Sequence, residues 1–253
     1  MLDLHRLNRI VLSPAPLFQR FVAGTLLTPN YKTPPGVHIE FEGFDNVPRH
    51  ENVIYAVNHT DRYNYWPLQY AQWRRHGRFT ATWVKGKYYE HPLMGLFMEW
   101  TNNIPTVSRG YIIARDFVST LERAPTSDEY NLLRGWVDGA KGDDLTGVPD
   151  GILTRPRDIL GRPFAPAVET YPEAIRGTFQ AMMARFVELN VEAKHKGLDL
   201  IIFPQGTRSV QLSRGHIGLA QMALKLKWTV VPVGCNGSDK CYPGSSPWAL
   251  PGR

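Results

Sequence analysis

Val53-Ile54-Tyr55-Ala56-Val57-Asn58-His59-Thr60-Asp61-Arg62-Tyr63-Asn64 starts as an unbroken apolar run and ends as a polar loop. An apolar run of this length, rich in β-branched residues and without polar alternation, reads as a strand buried on both faces, the habit of parallel sheets. Residues 64–75 continue with helical spacing, and Pro67 falls near the first turn, where its missing N–H leaves no bond unmade. Outward from this stretch the pattern repeats. Residues 79–84 read as a strand, 93–100 as a short helix and 104–107 as a short strand. Late in the chain a Gly197-Leu198-Asp199 turn precedes a strand at 200–203, then a helix at 215–227 and a strand at 229–233. Such alternation predicts an α/β fold, a mixed and mainly parallel sheet covered by helices. Residues 30–50, with Pro34, Pro35, Gly36 and Pro48, read as a connector carrying a short strand at 37–41.

Composition narrows the functional classes. Apolar residues make up 43% of the 253 and charged residues 21%, which is globular and not disordered. Lys and Arg (29) outnumber Asp and Glu (23), a net charge of +6 that favours anionic partners: phosphorylated small molecules, anionic lipid or nucleic acid. Cys235 and Cys241 are too few for a disulfide framework and form no zinc-type pair. His59, His91, His195 and His216 lack metal-ligand spacing, so no metal is expected.

No apolar run reaches the roughly 18 residues of a membrane span. Arg6, Arg9 and Arg20 interrupt the N-terminal apolar stretches, unlike a secretory signal. Leu17, Phe18, Phe21, Val22 and Leu26 fall on one helical face. That face suits a helix lying in a lipid interface, and equally one packed on its own domain. The expected organisation is an amphipathic, membrane-contacting segment at 1–30 and one domain at 31–253. Within that domain, residues 119–172 hold Pro125, Pro149, Pro156, Pro163, Pro166 and Pro172 and read as an inserted loop with too few periodic apolar positions for a core. The helical spacing of Ile175, Phe179, Met182, Met183 and Phe186 after it reads as ordinary packing.

Three stretches carry residues suited to chemistry. His59 directly follows a strand, at the sheet edge where open α/β folds bind ligands, and imidazole is the usual general base near neutral pH. It needs a partner to set its tautomer, and Asn64 is in reach if the chain turns into a helix. Asp61 is a nearer but less well-directed carboxylate. Phe203-Pro204-Gln205-Gly206-Thr207-Arg208-Ser209 follows another strand. Gly206 allows close backbone approach to an anion, Thr207 and Ser209 add hydroxyls, and Arg208 offers a planar fork for phosphate. Ile104-Pro105-Thr106-Val107-Ser108-Arg109 ends a strand in an arginine.

In this order the three stretches resemble the glycerophosphate acyltransferase family, that of the 1-acylglycerol-3-phosphate acyltransferases. Its pattern is Asn-His, four residues and Asp; an apolar run ending in Arg; Phe-Pro-Glu-Gly-Thr-Arg-Ser; and a Val-Pro-Val strand. Here the same places are Asn58-His59 to Asn64, Ile104 to Arg109, Phe203 to Ser209, and Val230-Val231-Pro232-Val233. Lys85-Gly86-Lys87 through Gly95, and Arg214 to Gly218, extend the likeness, which covers residues 37–115 and 176–238. Two positions depart from it, Asn64 for the family Asp and Gln205 for the family Glu.

The resemblance implies that 31–253 is an acyltransferase domain acting in phospholipid biosynthesis. A fatty acyl group would pass from acyl-CoA or acyl carrier protein to a hydroxyl of a lysophosphatidic acid-like acceptor. His59 would be the general base, supported by Asn64, with no covalent acyl-enzyme. Arg109 and Arg208 would hold the acceptor phosphate, together with Gln205, Gly206 and Thr207. Backbone N–H groups near Gly206 would position phosphate or stabilise the oxyanion. The thioester is a cosubstrate, and no cofactor is implied. The expected place is the cytoplasmic face of a membrane, where the lysophospholipid acceptor meets the soluble donor. The alternative is a catalytically silent relative that binds lysophospholipid, acyl-CoA or membrane, motivated by the two lost carboxylates. A nucleic-acid partner is not expected, because the aromatic residues are not interleaved with Lys and Arg.

Overall fold

The run at 53–57 lies at the centre of a parallel sheet. A computed structural model describes residues 1–34, 36–140 and 145–251. Pro35 of the expected connector and residues 141–144 of the expected insertion lie outside the described residues. The strands are β1 (Ile54–Val57), β2 (Thr80–Lys85), β3 (Asn103–Thr106), β4 (Arg157–Asp158), β5 (Pro163–Phe164), β6 (Asp199–Ile202) and β7 (Val230–Val233). The helices are α1 (Leu4–Arg9), α2 (Leu17–Val22), α3 (Thr28–Lys32), α4 (Trp66–His76), α5 (Pro92–Trp100), α6 (Arg109–Leu121), α7 (Ser127–Val137), α8 (Asp150–Thr154), α9 (Tyr171–His195), α10 (Gly218–Leu226) and α11 (Ser238–Cys241). The main sheet has the order β3-β2-β6-β1-β7. Its β2–β6, β6–β1 and β1–β7 pairs are parallel, with Ala56 beside Ile202 and Val57 beside Val233. The fold is therefore α/β, a five-stranded parallel sheet flanked by helices. Residues 37–41 form no strand. Val37, Ile39 and Phe41 instead press their side chains onto neighbouring apolar clusters as extended chain, without a ladder partner.

A buried carboxylate pins one end of the sheet. Asp199 is fully buried, accepts from the Val53 backbone N–H at 2.9 Å, and receives Arg78 Nε at 2.9 Å. Arg78 also donates to the Pro48 carbonyl at 2.7 Å. Burial pushes the Asp199 carboxyl up, and the guanidinium opposes that shift. Above this point Val53, Tyr55, Val57 and Ile201 pack with Leu68 and Ala71 of α4 in one apolar cluster.

The chain divides into two compact units. One comprises Met1–Ile10, Val84–Gly95 and Pro105–Glu188; the other comprises Val11–Trp83, Leu96–Ile104 and Leu189–Arg253. In the first unit, most of the expected inserted loop is folded. A capping box of Thr126 and Glu129 starts α7, and Leu133, Val137, Ile152, Ile159 and Phe164 are buried. Asp116 there receives two of the Arg157 guanidinium nitrogens (2.8 and 2.7 Å) and the Tyr171 hydroxyl (3.0 Å). These apolar positions come from several short elements, so no helical period reveals them.

In the second unit Gln19 of α2 donates to the carbonyls of Thr80 and Thr101, at 2.8 and 2.7 Å. Ser13 and Asn102 exchange two bonds at 2.9 and 2.8 Å. A π-turn at Ala23–Leu27 rotates the register between α2 and α3. It divides the apolar face read from sequence. Leu17 and Phe21 stand 76% and 59% exposed, Phe18, Val22 and Leu26 are half-buried, and Ala23, Leu27 and Tyr31 are buried.

Replacing Arg78 by Ala leaves the Asp199 charge buried and uncompensated. It is expected to cost about 3–5 kcal/mol in denaturant unfolding. A loss within experimental error would refute Asp199 as the anchor of the sheet.

Candidate functional site

Because β1 and β6 are parallel neighbours in register, the loops that leave their carboxyl ends emerge side by side. After Val57 the chain folds back through an Asx turn. Asp61 Oδ1 accepts from Tyr63 N at 2.7 Å, and Oδ2 accepts from the Thr60 hydroxyl at 2.9 Å. The Asp61 carboxylate thus serves its own loop. The turn brings Asn64 back to His59, with Oδ1 3.2 Å from Nδ1. Asn64 Nδ2 donates to the Asn58 carbonyl at 2.6 Å, and the residue is only 3% exposed. The His59 ring stacks on Phe203, centroids 4.0 Å apart and planes 22° apart, and Tyr65 meets Phe203 edge-on.

The turn after β6 is joined to this loop directly. Ser209 N donates to the His59 carbonyl at 2.7 Å. Gln205, 6% exposed, accepts from His59 N at 3.4 Å, while its Nε2 donates to Gln211 O and Ser213 Oγ, both at 3.1 Å. Gly206 N closes a turn on Phe203 O at 3.0 Å, and Gly206 holds φ at +66°. Thr207 and Arg208 present exposed side chains beside it. Among the described residues no carboxylate pairs with Arg208 or with the exposed Arg62 and Arg214 of the same two loops.

The structure therefore brings His59, Asn64, Gln205 and the Gly206–Arg208 turn together in the second unit. Arg109 belongs to the first unit, where it opens α6 beyond the end of β3. Its NH1 lies 3.0 Å from Asp138, which Arg134 also engages, and its guanidinium sits over Phe179 at 5.9 Å.

Sequence reasoning did not assign roles to Asn58, Phe203, His216 and Cys235. The Asn58 side chain clamps the Cys235 backbone with two bonds, Nδ2 to Cys235 O at 2.8 Å and Cys235 N to Oδ1 at 2.6 Å. The Cys235 thiol lies 3.7 Å from the Asn64 carbonyl, and burial pushes it up, away from thiolate chemistry. A Cβ at Gly206 would come within 3.1 Å of the His216 ring. The only sequence signal for Asn58 was its place beside His59. Among the described residues no His, Cys, Asp or Glu group could hold a metal ion. Among them, too, no helix is long and apolar enough to cross a membrane.

Residues 38–132 match the family model described as Acyltransferase. The matched segment contains the His59–Asn64 pair and Arg109, and ends before the Phe203–Ser209 turn. The match over this part of the chain supports acyl transfer as the general activity. No curated protein and no solved structure matches the chain.

Gly206→Ala combines a left-handed backbone with the close His216 contact. It is expected to destabilise the protein by about 1–2 kcal/mol in urea unfolding. An unchanged midpoint would show that the turn is not conformationally locked.

Proposed function

We propose that this protein transfers a fatty acyl group from acyl-CoA or acyl carrier protein to the hydroxyl of a lysophosphatidic acid-like acceptor. The carrying observation is the His59–Asn64 pair, 3.2 Å apart, on a loop bonded to the Gly206–Ser209 turn through His59 O. Asn64 offers its carbonyl oxygen to Nδ1, so Nδ1 carries the proton and Nε2 the lone pair. In the reaction Nε2 takes the proton of the acceptor hydroxyl as that oxygen attacks the thioester carbonyl. The tetrahedral intermediate then expels the thiolate, which recovers the proton from the imidazolium, leaving an ester and a free thiol. No protein nucleophile is needed, in keeping with the half-buried Cys235 thiol, which burial pushes up.

Arg208 is the guanidinium this reading assigns to the acceptor phosphate, with Arg62 and Arg214 adding positive charge to the same loops. Backbone N–H groups at the Gly206 turn serve the phosphate or the oxyanion. Gln205 shapes that turn through its buried amide. Arg109 belongs to the other unit, where Asp138 neutralises part of its charge, and this reading gives it no part in the His59 site.

A catalytically silent, lipid-binding protein is the competing reading, favoured by the two amides, which lack the charge to stabilise an imidazolium. Thiol release from long-chain acyl-CoA, with and without lysophosphatidic acid, separates the two. His59→Ala is expected to lower acceptor-dependent release by about 10²–10⁴-fold. Equal release by both proteins would overturn His59 as base, and acyl-CoA binding without release would favour the silent reading.

The same proposal places the protein at a membrane surface, on its cytoplasmic face. Leu17 and Phe21 of α2 and Trp100 of α5 (55% exposed) form an apolar face around Phe18, which contacts Phe21, Phe97 and Trp100 at 5.4–5.8 Å. Arg20 lies exposed in the same helix, where a lipid phosphate can meet it. Phe21→Asp is expected to weaken flotation with anionic phospholipid vesicles by about tenfold or more. Undiminished flotation would remove α2 from the contact.

A further inference from the structure

The two amides beside His59 are each held in one orientation, Asn64 by a backbone carbonyl and Gln205 by a backbone carbonyl and the Ser213 hydroxyl. Asn64 Nδ2 donates to Asn58 O at 2.6 Å, which turns Oδ1 toward His59 Nδ1. Gln205 Nε2 donates to Gln211 O at 3.1 Å, which turns Oε1 toward His59 N. The Asn58 carbonyl is itself immobilised. Its side chain and the Cys235 backbone exchange two hydrogen bonds, prolonging the β1–β7 pairing past Val57 and Val233. A carboxylate has no N–H to offer. At position 64 its second oxygen would face the Asn58 carbonyl across the 2.6 Å now bridged by an N–H, in a nearly dry place.

We propose that Asn58 is the positioning residue of this site. Its clamp on Cys235 fixes the carbonyl that selects the flip of the Asn64 amide, and through it the Nδ1-protonated tautomer of His59. Positions 64 and 205 are accordingly built for amides, and the absence of carboxylates there is a fitted feature. The kinetic arm of the test rests on the acyl-transfer reading; the spectroscopic arm does not.

The experiment uses the full chain labelled with ¹⁵N-histidine, with the His59 signals identified by their loss in His59→Gln. In the wild type, Nδ1 is expected to resonate as a protonated nitrogen and Nε2 as an unprotonated one. Asn58→Ser cuts both clamp bonds. It is expected to populate the other tautomer and to lower kcat for thiol release about 10- to 100-fold with KM retained. Asn64→Asp keeps the shape of the side chain. It is expected to lower release by a similar factor of about 10–100, with an earlier thermal transition.

A proton on Nε2 in the wild type overturns the proposal whatever the turnover. So does a cooperatively melting Asn58→Ser with an unchanged spectrum, or an Asn64→Asp that gains activity at unchanged melting temperature. Where Asn58→Ser does not fold, the wild-type spectrum and Asn64→Asp decide the question. The expected spectrum with no thiol release under any condition overturns acyl transfer and leaves the role of Asn58 standing.

Discussion

The side-by-side exit of two parallel strands is the constraint on which the site depends. Ala56 pairs with Ile202, so the chain leaves β1 and β6 at the same level of the sheet. The 2.7 Å bond from Ser209 N to His59 O then closes the two loops on one another. A slip of two residues in that pairing would keep every apolar side chain on its own face and still separate the imidazole from the Gly206 turn. The Asp199 carboxylate opposes such a slip, because it receives the Val53 N–H and the Arg78 guanidinium at the other end of the same strands.

Charge is distributed unevenly over the molecule. The most deeply buried carboxylates, Asp116 and Asp199, are each neutralised by one arginine and hold structure together. Around His59 the buried supports Asn64 and Gln205 are uncharged amides, and Arg62, Arg208 and Arg214, which pair with no carboxylate among the described residues, stand at the surface of the same loops. The Asp61 carboxylate of the same loop has its oxygens engaged by its own turn.

Much of the fold was legible in the sequence because its strands are buried on both faces, and such strands appear as plain apolar runs at 53–57 and 200–203. The return of Asn64 to His59 was legible too, since a strand, a turn and a helix at that spacing leave the chain few alternatives. The core of the first unit was not. Leu133, Ile152, Ile159 and Phe164 are buried from elements of different kinds, and proline density suggested a loop where the chain makes the capped helix α7 and the short helix α8. The partner of Arg109 was equally hidden, because Asp138 lies far along the chain at the end of α7. Extended chain at 37–41 looks like a strand in composition, but a strand also needs a neighbour, and composition does not supply one.

The half-buried thiol of Cys235 lies against the carbonyl of Asn64, on the residue whose backbone Asn58 clamps. A sulfur in that position is slow to meet an alkylating reagent while the clamp is closed. Its labelling rate, followed in a Cys241→Ser background, becomes a native clock for the opening of the loop, read without any substrate and without a foreign dye.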